Sequence, residues 1–230
     1  MNIGLKKIGI KNKLSYLKEK MSKCILIQAN GNNLRLGKFF KQPKYELYYK
    51  NARIIETIIQ NALLVTNNVY VAVRKKHTLN FNTKNINLIY CDQTDTRLET
   101  LKQCFPHLNE YDSVIIHDCD TIIESKVLKN LNNNSIAITN YKLDGLKYGF
   151  VSLDNNFKFL DGNEKKEETG HITIGAYCVN VKEYNNYLSW ASKESMLDYY
   201  NQCKNTDVVY SENHINLGDI NSYIENLWLL

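Results

Sequence analysis

The chain has 230 residues, 43% hydrophobic and 23% charged, a balance that supports a packed core and excludes a disordered, collagen-like or disulfide-stapled miniprotein. No apolar run approaches the roughly 20 residues of a membrane-spanning helix, and the first residues lack the apolar stretch and cleavage site of a secretory signal, so a cytoplasmic protein is expected. The net charge of +5 belongs to residues 1–20, where Lys6, Lys7, Lys11, Lys13, Lys18 and Lys20 are opposed by Glu19 alone; beyond them 23 basic residues balance 23 acidic ones, and a body with no net basic character excludes a nucleic-acid binder.

Residues 1–22 read as a basic leader and residues 23–230 as one domain. Leu5, Ile8, Ile10, Leu14 and Leu17 alternate with the lysines, so the leader is either a solvated segment or a short amphipathic helix for an anionic surface or a partner. The six cysteines, Cys24, Cys91, Cys104, Cys119, Cys178 and Cys203, form no C-x-x-C pair; reduced thiols are expected, with no disulfide.

From Cys24 onward apolar, β-branched runs alternate with helical stretches. Cys24 to Ala29 predicts a buried strand, and Arg53 to Leu64 a helix with Ile54, Ile55, Ile58, Ile59 and Leu63 at helical spacing. Strands follow over Asn68 to Val73 and Asn87 to Tyr90, a helix over Arg97 to Phe105, and a strand over Ser113 to His117 that runs into carboxylates. Glu124 to Leu131 reads as helix and Ser135 to Asn140 as strand. After Tyr141 come hairpin pieces, Tyr148 to Leu153 and Phe157 to Leu160 around Asp154, Asn155 and Asn156, then a strand over Ile172 to Val179 and helices from Val181, the last over Asn221 to Trp228. The order argues for an α/β fold: a three-layer, Rossmann-like, mixed and mostly parallel sheet with a substrate-side hairpin subdomain, whose ligands lie beyond the carboxyl ends of the strands.

Three segments carry the chemistry. After the first strand, an amide-rich turn at Ala29, Asn30 and Gly31 exposes backbone N–H groups suited to phosphate oxygens, with Arg35 and Lys44 as cations in the same loop; a plain structural turn reads the same residues equally well. Thr96 and Glu99 form a capping box for the helix that opens at Arg97. In Ser113 to Thr121, alternation along an extended chain places Asp118 and Asp120 on one side at a strand end, where a divalent cation would bridge phosphates; a helix cap before Glu124 is the other reading. His117 beside them reads as a packing residue.

The first loop resembles the signature A-A-G-x-G-x-R…P-K of nucleotidyltransferases that make nucleotide-activated sugars and polyols, through Ala29, Asn30, Gly31, Asn33, Arg35, Pro43 and Lys44, with Asn at the second Ala and second Gly positions. Asp92 to Leu101 is similar to the base-recognition loop of methylerythritol-phosphate and ribitol-phosphate cytidylyltransferases at Asp95, Arg97 and Thr100, with Gln93 and Thr94 where those enzymes have glycines. His117-Asp118 resembles their H-D motif, and Asp118 and Asp120 the D-x-D of phosphocholine cytidylyltransferases. Tyr148-Gly149, Glu164-Lys165 and Thr173 to Tyr177 resemble the Y-G, E-K and N-A-G-x-Y elements of sugar-1-phosphate nucleotidyltransferases. Asn216 to Asn221 resembles the D-I-x-T closing motif; a helix N-cap is the other reading of Asp219.

The resemblance spans Cys24 to Tyr223 and implies a GT-A-like nucleotidyltransferase. It implies transfer of a nucleoside monophosphate from a nucleoside triphosphate, CTP by preference, to a sugar, polyol or choline phosphate, with pyrophosphate released. Such products are precursors for capsule or other cell-surface polysaccharide. In that frame Arg35 and Lys44 are catalytic, and Ala29, Asn30, Gly31, Asn33, Asp95, Arg97 and Thr100 bind nucleotide. Gly149, Lys165 and Thr173 bind the acceptor, and Asp118, Asp120 and Asp219 hold Mg2+. A homodimer is left open. A D-x-D glycosyltransferase and a non-catalytic nucleotide-binding relative are the alternatives.

Overall fold

A computed structural model gives the fold and describes residues 22–31, 39–75, 78–144, 148–164, 169–192 and 195–228. The leader up to Met21, Asn33, Arg35 and Lys165 lie outside the described residues. The first apolar run forms β1 (Lys23–Gln28), whose Cys24, Ile25, Leu26 and Ile27 are all fully buried. Burial on both faces is the mark of a central parallel strand.

After a 3-10 turn (Lys44–Glu46), β2 (Tyr48–Tyr49) and β3 (Ala52–Arg53) make a small hairpin before α1 (Ile54–Leu63). Next come β4 (Val69–Arg74), β5 (Asn87–Cys91), α2 (Arg97–Cys104), β6 (Ser113–Asp118), β7 (Thr121–Ile123) and α3 (Ser125–Asn130). The second half holds β8 (Ser135–Asp144), β9 (Gly149–Leu153), β10 (Phe159–Glu164), β11 (Thr169–Asn180), α4 (Val181–Trp190), α5 (Met196–Tyr200), β12 (Asp207–Ser211), β13 (His214–Asn216) and α6 (Ile220–Trp228).

Among the described residues the main sheet runs β10-β9-β11-β6-β1-β4-β5, with β8 also on β11 and β12 on β8. β1 lies parallel to β4 and β6, and β4 to β5; β11 runs antiparallel to β6, β8 and β9. A parallel half thus merges into a mostly antiparallel second half without a break, so the hairpin β9–β10 extends the main sheet. Alternation along β1 divides the core: Ile25 and Ile27 pack with Ile54, Ile55 and Ile58 of α1 on one face, and Cys24 and Leu26 with Leu98 and Leu101 of α2 and Tyr184 of α4 on the other. This is the three-layer α/β arrangement expected from the sequence.

The hairpin turn is held by Asp154, whose Oδ1 accepts from the backbone N–H groups of Asn156 at 2.8 Å and Lys158 at 2.9 Å. The second strand of that hairpin begins at Phe159, later than the sequence suggests, because Phe157 takes φ 60° to complete the turn. Elements the sequence reading missed are β2, β3, β7, β12 and β13. Most have only two or three residues, too short for a period, and β7 pairs with β13 roughly ninety positions downstream.

Candidate active site

The chain leaves β1 for β4 on one side and returns to β6 on the other, so the crevice between β1 and β6 is where strand order reverses, the usual place for a ligand in such sheets. Gln28 and Asp118 are register partners at its edge. Beyond Gln28 the chain turns through Ala29, Asn30 and Gly31. Arg74, at the end of β4, donates from Nε to the Asn30 carbonyl (3.3 Å) and from Nη2 to the Gly31 carbonyl (3.0 Å), so two carbonyl oxygens of the turn are occupied by a cation.

Asn30 is 1% exposed. Its Nδ2 lies within hydrogen-bonding distance of the Asp92 carbonyl (3.2 Å), Thr94 Oγ1 (3.1 Å) and Thr100 Oγ1 (3.2 Å), tying the first loop to the segment ahead of α2. The asparagine that replaces the second alanine of the nucleotidyltransferase signature therefore has a visible structural role. Thr96 and Glu99 form the expected capping box on α2, with the Thr96 hydroxyl accepting from Glu99 N at 3.2 Å. That cap aims Arg97 away from the sheet and toward the crevice.

Two ion pairs cross the crevice. Arg97 Nη2 lies 2.7 Å from Asp118 Oδ1, with its guanidinium 5.7 Å from the centre of the Tyr177 ring. Lys44, presented by its 3-10 turn, pairs with Asp120 Oδ2. The turn is anchored by Glu46, 3% exposed, whose oxygens accept from Asn80 N (3.1 Å) and Asn80 Nδ2 (3.0 Å).

The expectation that strand alternation aligns Asp118 with Asp120 needs correction. β6 stops at Asp118, and Cys119 and Asp120 form a turn into β7. The turn is locked where Leu217 N donates to the Asp120 carbonyl at 2.8 Å, and it brings both carboxylates to the crevice by a different route. Neither caps the following helix, whose N-cap is Glu124. His117 is fully buried, its Nδ1 lies 2.6 Å from the Asp118 carbonyl, and desolvation holds its pKa below the ordinary value; it packs, as expected.

Two cavities meet at these pairs. A smaller one of about 180 Å³ is lined by Gln28, Asn30, Gly31, Lys44, Asp95 and Thr100. A larger one of about 960 Å³ lies against Tyr148, Gly149, Glu164, Thr173, Tyr177 and Asp219. Arg97, Asp118 and Asp120 border both. Every described residue from the sequence-predicted site except Ala29, buried behind the turn, thus lines one cavity or the other. Thr173 Oγ1 accepts from the Tyr177 hydroxyl at 3.1 Å. Burial, then the Asp118 carboxylate, raises the Tyr177 phenol to about 12, so it stays a neutral donor.

Asp219 takes up the capping role that the sequence left open beside a metal role. Its Oδ1 accepts from Ser222 N and its Oδ2 from Ser222 Oγ, each at 3.0 Å. Asn216, ahead of it in the same motif, shapes the turn: its Oδ1 accepts from Gly218 N at 2.8 Å. A β-carbon added to Gly218 would meet Asp120 Oδ2 at 2.8 Å and Asn216 Oδ1 at 3.1 Å. Arg74 was also missed; its only signal is a basic residue at the carboxyl end of a parallel strand.

Strand order and register define a three-layer α/β fold with paired cavities at the strand ends. No family model matches the sequence, and no curated protein sequence matches it. Solved structures do match. A nucleoside-diphosphate-sugar pyrophosphorylase from Vibrio cholerae superposes with TM-score 0.69 at 17% identity, over 89% of this chain and 99% of that one. A structure described as a glucose-1-phosphate thymidylyltransferase from Bacillus anthracis, in complex with sucrose, gives TM-score 0.74 at 16% identity, over 90% and 95%. HddC from Yersinia pseudotuberculosis gives 0.69 at 17% identity, over 91% and 99%, and is also known in complex with GMP-PN. At such identities the likeness establishes the fold.

Proposed function

We propose that the protein is a nucleotidyltransferase that joins the nucleoside monophosphate of a nucleoside triphosphate to a phosphorylated sugar, polyol or choline, releasing pyrophosphate. The observation that carries this reading is the meeting of a small and a large cavity at Arg97, Asp118 and Asp120, with Lys44 on the wall of the smaller one. Matched structures hold GMP-PN in one case and sucrose in another, the two kinds of ligand that two such cavities would take.

The acceptor phosphate oxygen attacks the α-phosphorus, the bond to the β-phosphate oxygen breaks, and pyrophosphate leaves in line. No covalent nucleophile is required; the protein aligns two polyanions and offsets the charge that develops between them. Lys44 and Arg97 supply positive charge at the junction, with Arg35 assigned by resemblance to the triphosphate and Lys165 to the acceptor. The turn at Asn30 and Gly31 lies against the nucleotide, and Gly149 and Thr173 against the acceptor.

Magnesium suits the donor set. It binds through one or two carboxylates and substrate phosphates, and Asp118 and Asp120 border both cavities, with Asp118 Oδ2 accepting no hydrogen bond among the described residues. Among those residues no three histidine, cysteine or acidic side chains gather as an all-protein cage. When bound, the cation would neutralise charge on the phosphate oxygens.

CTP is the proposed triphosphate, on the likeness of Asp95, Arg97 and Thr100 to the cytidylyltransferase base loop. The test is a thermal-shift screen of CTP, UTP, dTTP, GTP and ATP with Mg2+, followed by pyrophosphate release over a panel of phosphorylated acceptors. A ligand of the native state raises the melting temperature in step with its affinity. A clear preference for CTP supports the base; equal shifts with UTP or dTTP, or a purine preference, reject the base and leave the reaction class standing.

A further inference from the structure

At the far end of the sheet from the crevice the surface changes character. Asn180 of β11 stands opposite Ser113 at the start of β6, whereas the crevice lies at Asp118, where β6 ends. Asn134, whose Oδ1 accepts from Asn180 N at 3.3 Å, borders one of two further cavities. They measure about 490 and 450 Å³ and adjoin along Tyr187, Trp190 and Gln202. They share no described residue with the two cavities of the crevice.

Their floor is aromatic and fixed. Tyr187 and Tyr199 are buried with ring centres 5.5 Å apart, and the Tyr199 hydroxyl donates to Asn134 Oδ1 at 2.8 Å. Trp190, the last residue of α4, packs against Tyr187 with ring centres 5.1 Å apart and planes at 76°, yet it stays 59% exposed. Lys102 Nζ donates to the Ala191 carbonyl at 3.0 Å and so pins the end of that helix. Beside the indole stand the amides of Asn186, Asn205 and Gln202, the last held where its Nε2 donates to the Asp198 carbonyl at 3.0 Å.

These groups select a class of ligand. A flat indole offers its face to C–H groups, while each amide is both donor and acceptor, the match for a hydroxyl that is also both. A purely apolar ligand would strip water from the amides without replacing its hydrogen bonds. A polyanion would meet Glu183 and Asp198, with Lys204 as the single cation among the described lining residues. A pyranose ring, apolar on its C–H faces and hydroxylated at its rim, meets both demands, and two adjoining cavities accommodate more than one such ring.

We propose that this groove binds a neutral oligosaccharide, with Trp190 as the stacking platform and Asn186, Gln202 and Asn205 as partners for hydroxyls. The site stands apart from the crevice, so the inference does not depend on the nucleotidyltransferase reading. Because the aromatic floor is already packed, little ordering is required on binding.

Isothermal titration calorimetry of the full chain with maltotriose, cellotriose, xylotriose and triacetylchitotriose tests this. At least one should bind, more tightly than its own monosaccharide, and Trp190→Ala should weaken that binding at least about tenfold. Asn205→Ala, an exposed position, should weaken it too, which covers the case of Trp190→Ala failing to fold. Phe157→Ala, which removes another exposed aromatic at the β9–β10 turn, should not. The chain has two tryptophans, so in Trp228→Phe protein the same saccharide should shift the emission of Trp190. Thr173→Val, in the large cavity of the crevice, should leave the affinity unchanged.

No binding by any of these trisaccharides would overturn the proposal. So would binding that survives both Trp190→Ala and Asn205→Ala, or that is lost in Thr173→Val, because the saccharide would then sit elsewhere on the molecule or in the crevice.

Discussion

A β-carbon at Gly175 would stand 2.9 Å from Oδ2 and 3.0 Å from Cβ of Asp118, and the backbone at Gly175 has φ +81°. The glycine in the middle of β11 is therefore required twice, by its left-handed conformation and by the carboxylate seated against it. Gly175→Ala is expected to cost about 1–3 kcal/mol, a fall of several degrees in melting temperature for a chain of this size. It should also push Asp118 off Arg97 and lower the rate of pyrophosphate release. Calorimetry and turnover measured on the same sample check both effects; a variant with wild-type stability and rate would show that β11 yields without strain.

Asn30 couples the turn after β1 to the segment before α2 through one buried amide nitrogen near three acceptors. Asn30→Ala leaves those acceptors without their shared donor, at a cost of about 1–3 kcal/mol, measurable by urea denaturation. Triphosphate affinity should fall at the same time, because both walls of the smaller cavity lose their tie. Asn30→Asp should be worse near neutral pH, since a carboxylate cannot donate to the Asp92 carbonyl.

The turn that presents Lys44 depends on Glu46. Glu46→Ala should leave the Asn80 amide groups without acceptors, cost about 1–3 kcal/mol, and reduce kcat by letting Lys44 drift from the crevice. Glu46→Gln keeps one acceptor oxygen and should recover part of the loss. Steady-state kinetics separate the two: a fall in kcat with little change in KM for the acceptor is expected, and unchanged kcat in Glu46→Ala would remove the turn from the account.

A chain beginning at Met21 should fold and bind triphosphate as the full chain does. All the assigned site residues follow Met21, and the chain is tied to the body at Ser22, whose backbone N–H donates to Asp112 Oδ2 at 2.7 Å. Loss of soluble expression, or weaker binding in a thermal-shift assay, would show that the leader packs on the domain.

The parallel half of the fold was legible because β1, β4 and β6 are buried on both faces and read as unbroken apolar runs, while α1 shows its apolar face at helical spacing. Asp118 was legible as a carboxylate at the end of such a run, and Lys44 through the spacing of its motif. The partners were not. Arg97 reaches Asp118 across 21 positions and Lys44 reaches Asp120 across 76, pairings that only strand order creates. Asp219 caps the following helix through Ser222, and Asn216 holds the turn at Gly218; a polar sequence does not reveal the geometry of that turn. Asn30 read as a departure from a motif, and its buried hydrogen bonds appear only when Thr94 and Thr100 are brought beside it.

Pyrophosphate release from CTP, with Mg2+ and a panel of sugar, polyol and choline phosphates, tests the central claim most directly when wild-type protein is compared with Lys44→Ala and Asp118→Ala. Both side chains line the crevice at the edge of the sheet, outside the apolar core, so the variants should keep their circular dichroism spectra. The expected result is acceptor-dependent release by the wild type, reduced by at least about a hundredfold in each variant. Near-normal turnover in either variant would contradict the mechanism, and no release by the wild type with any triphosphate and acceptor would contradict the function itself.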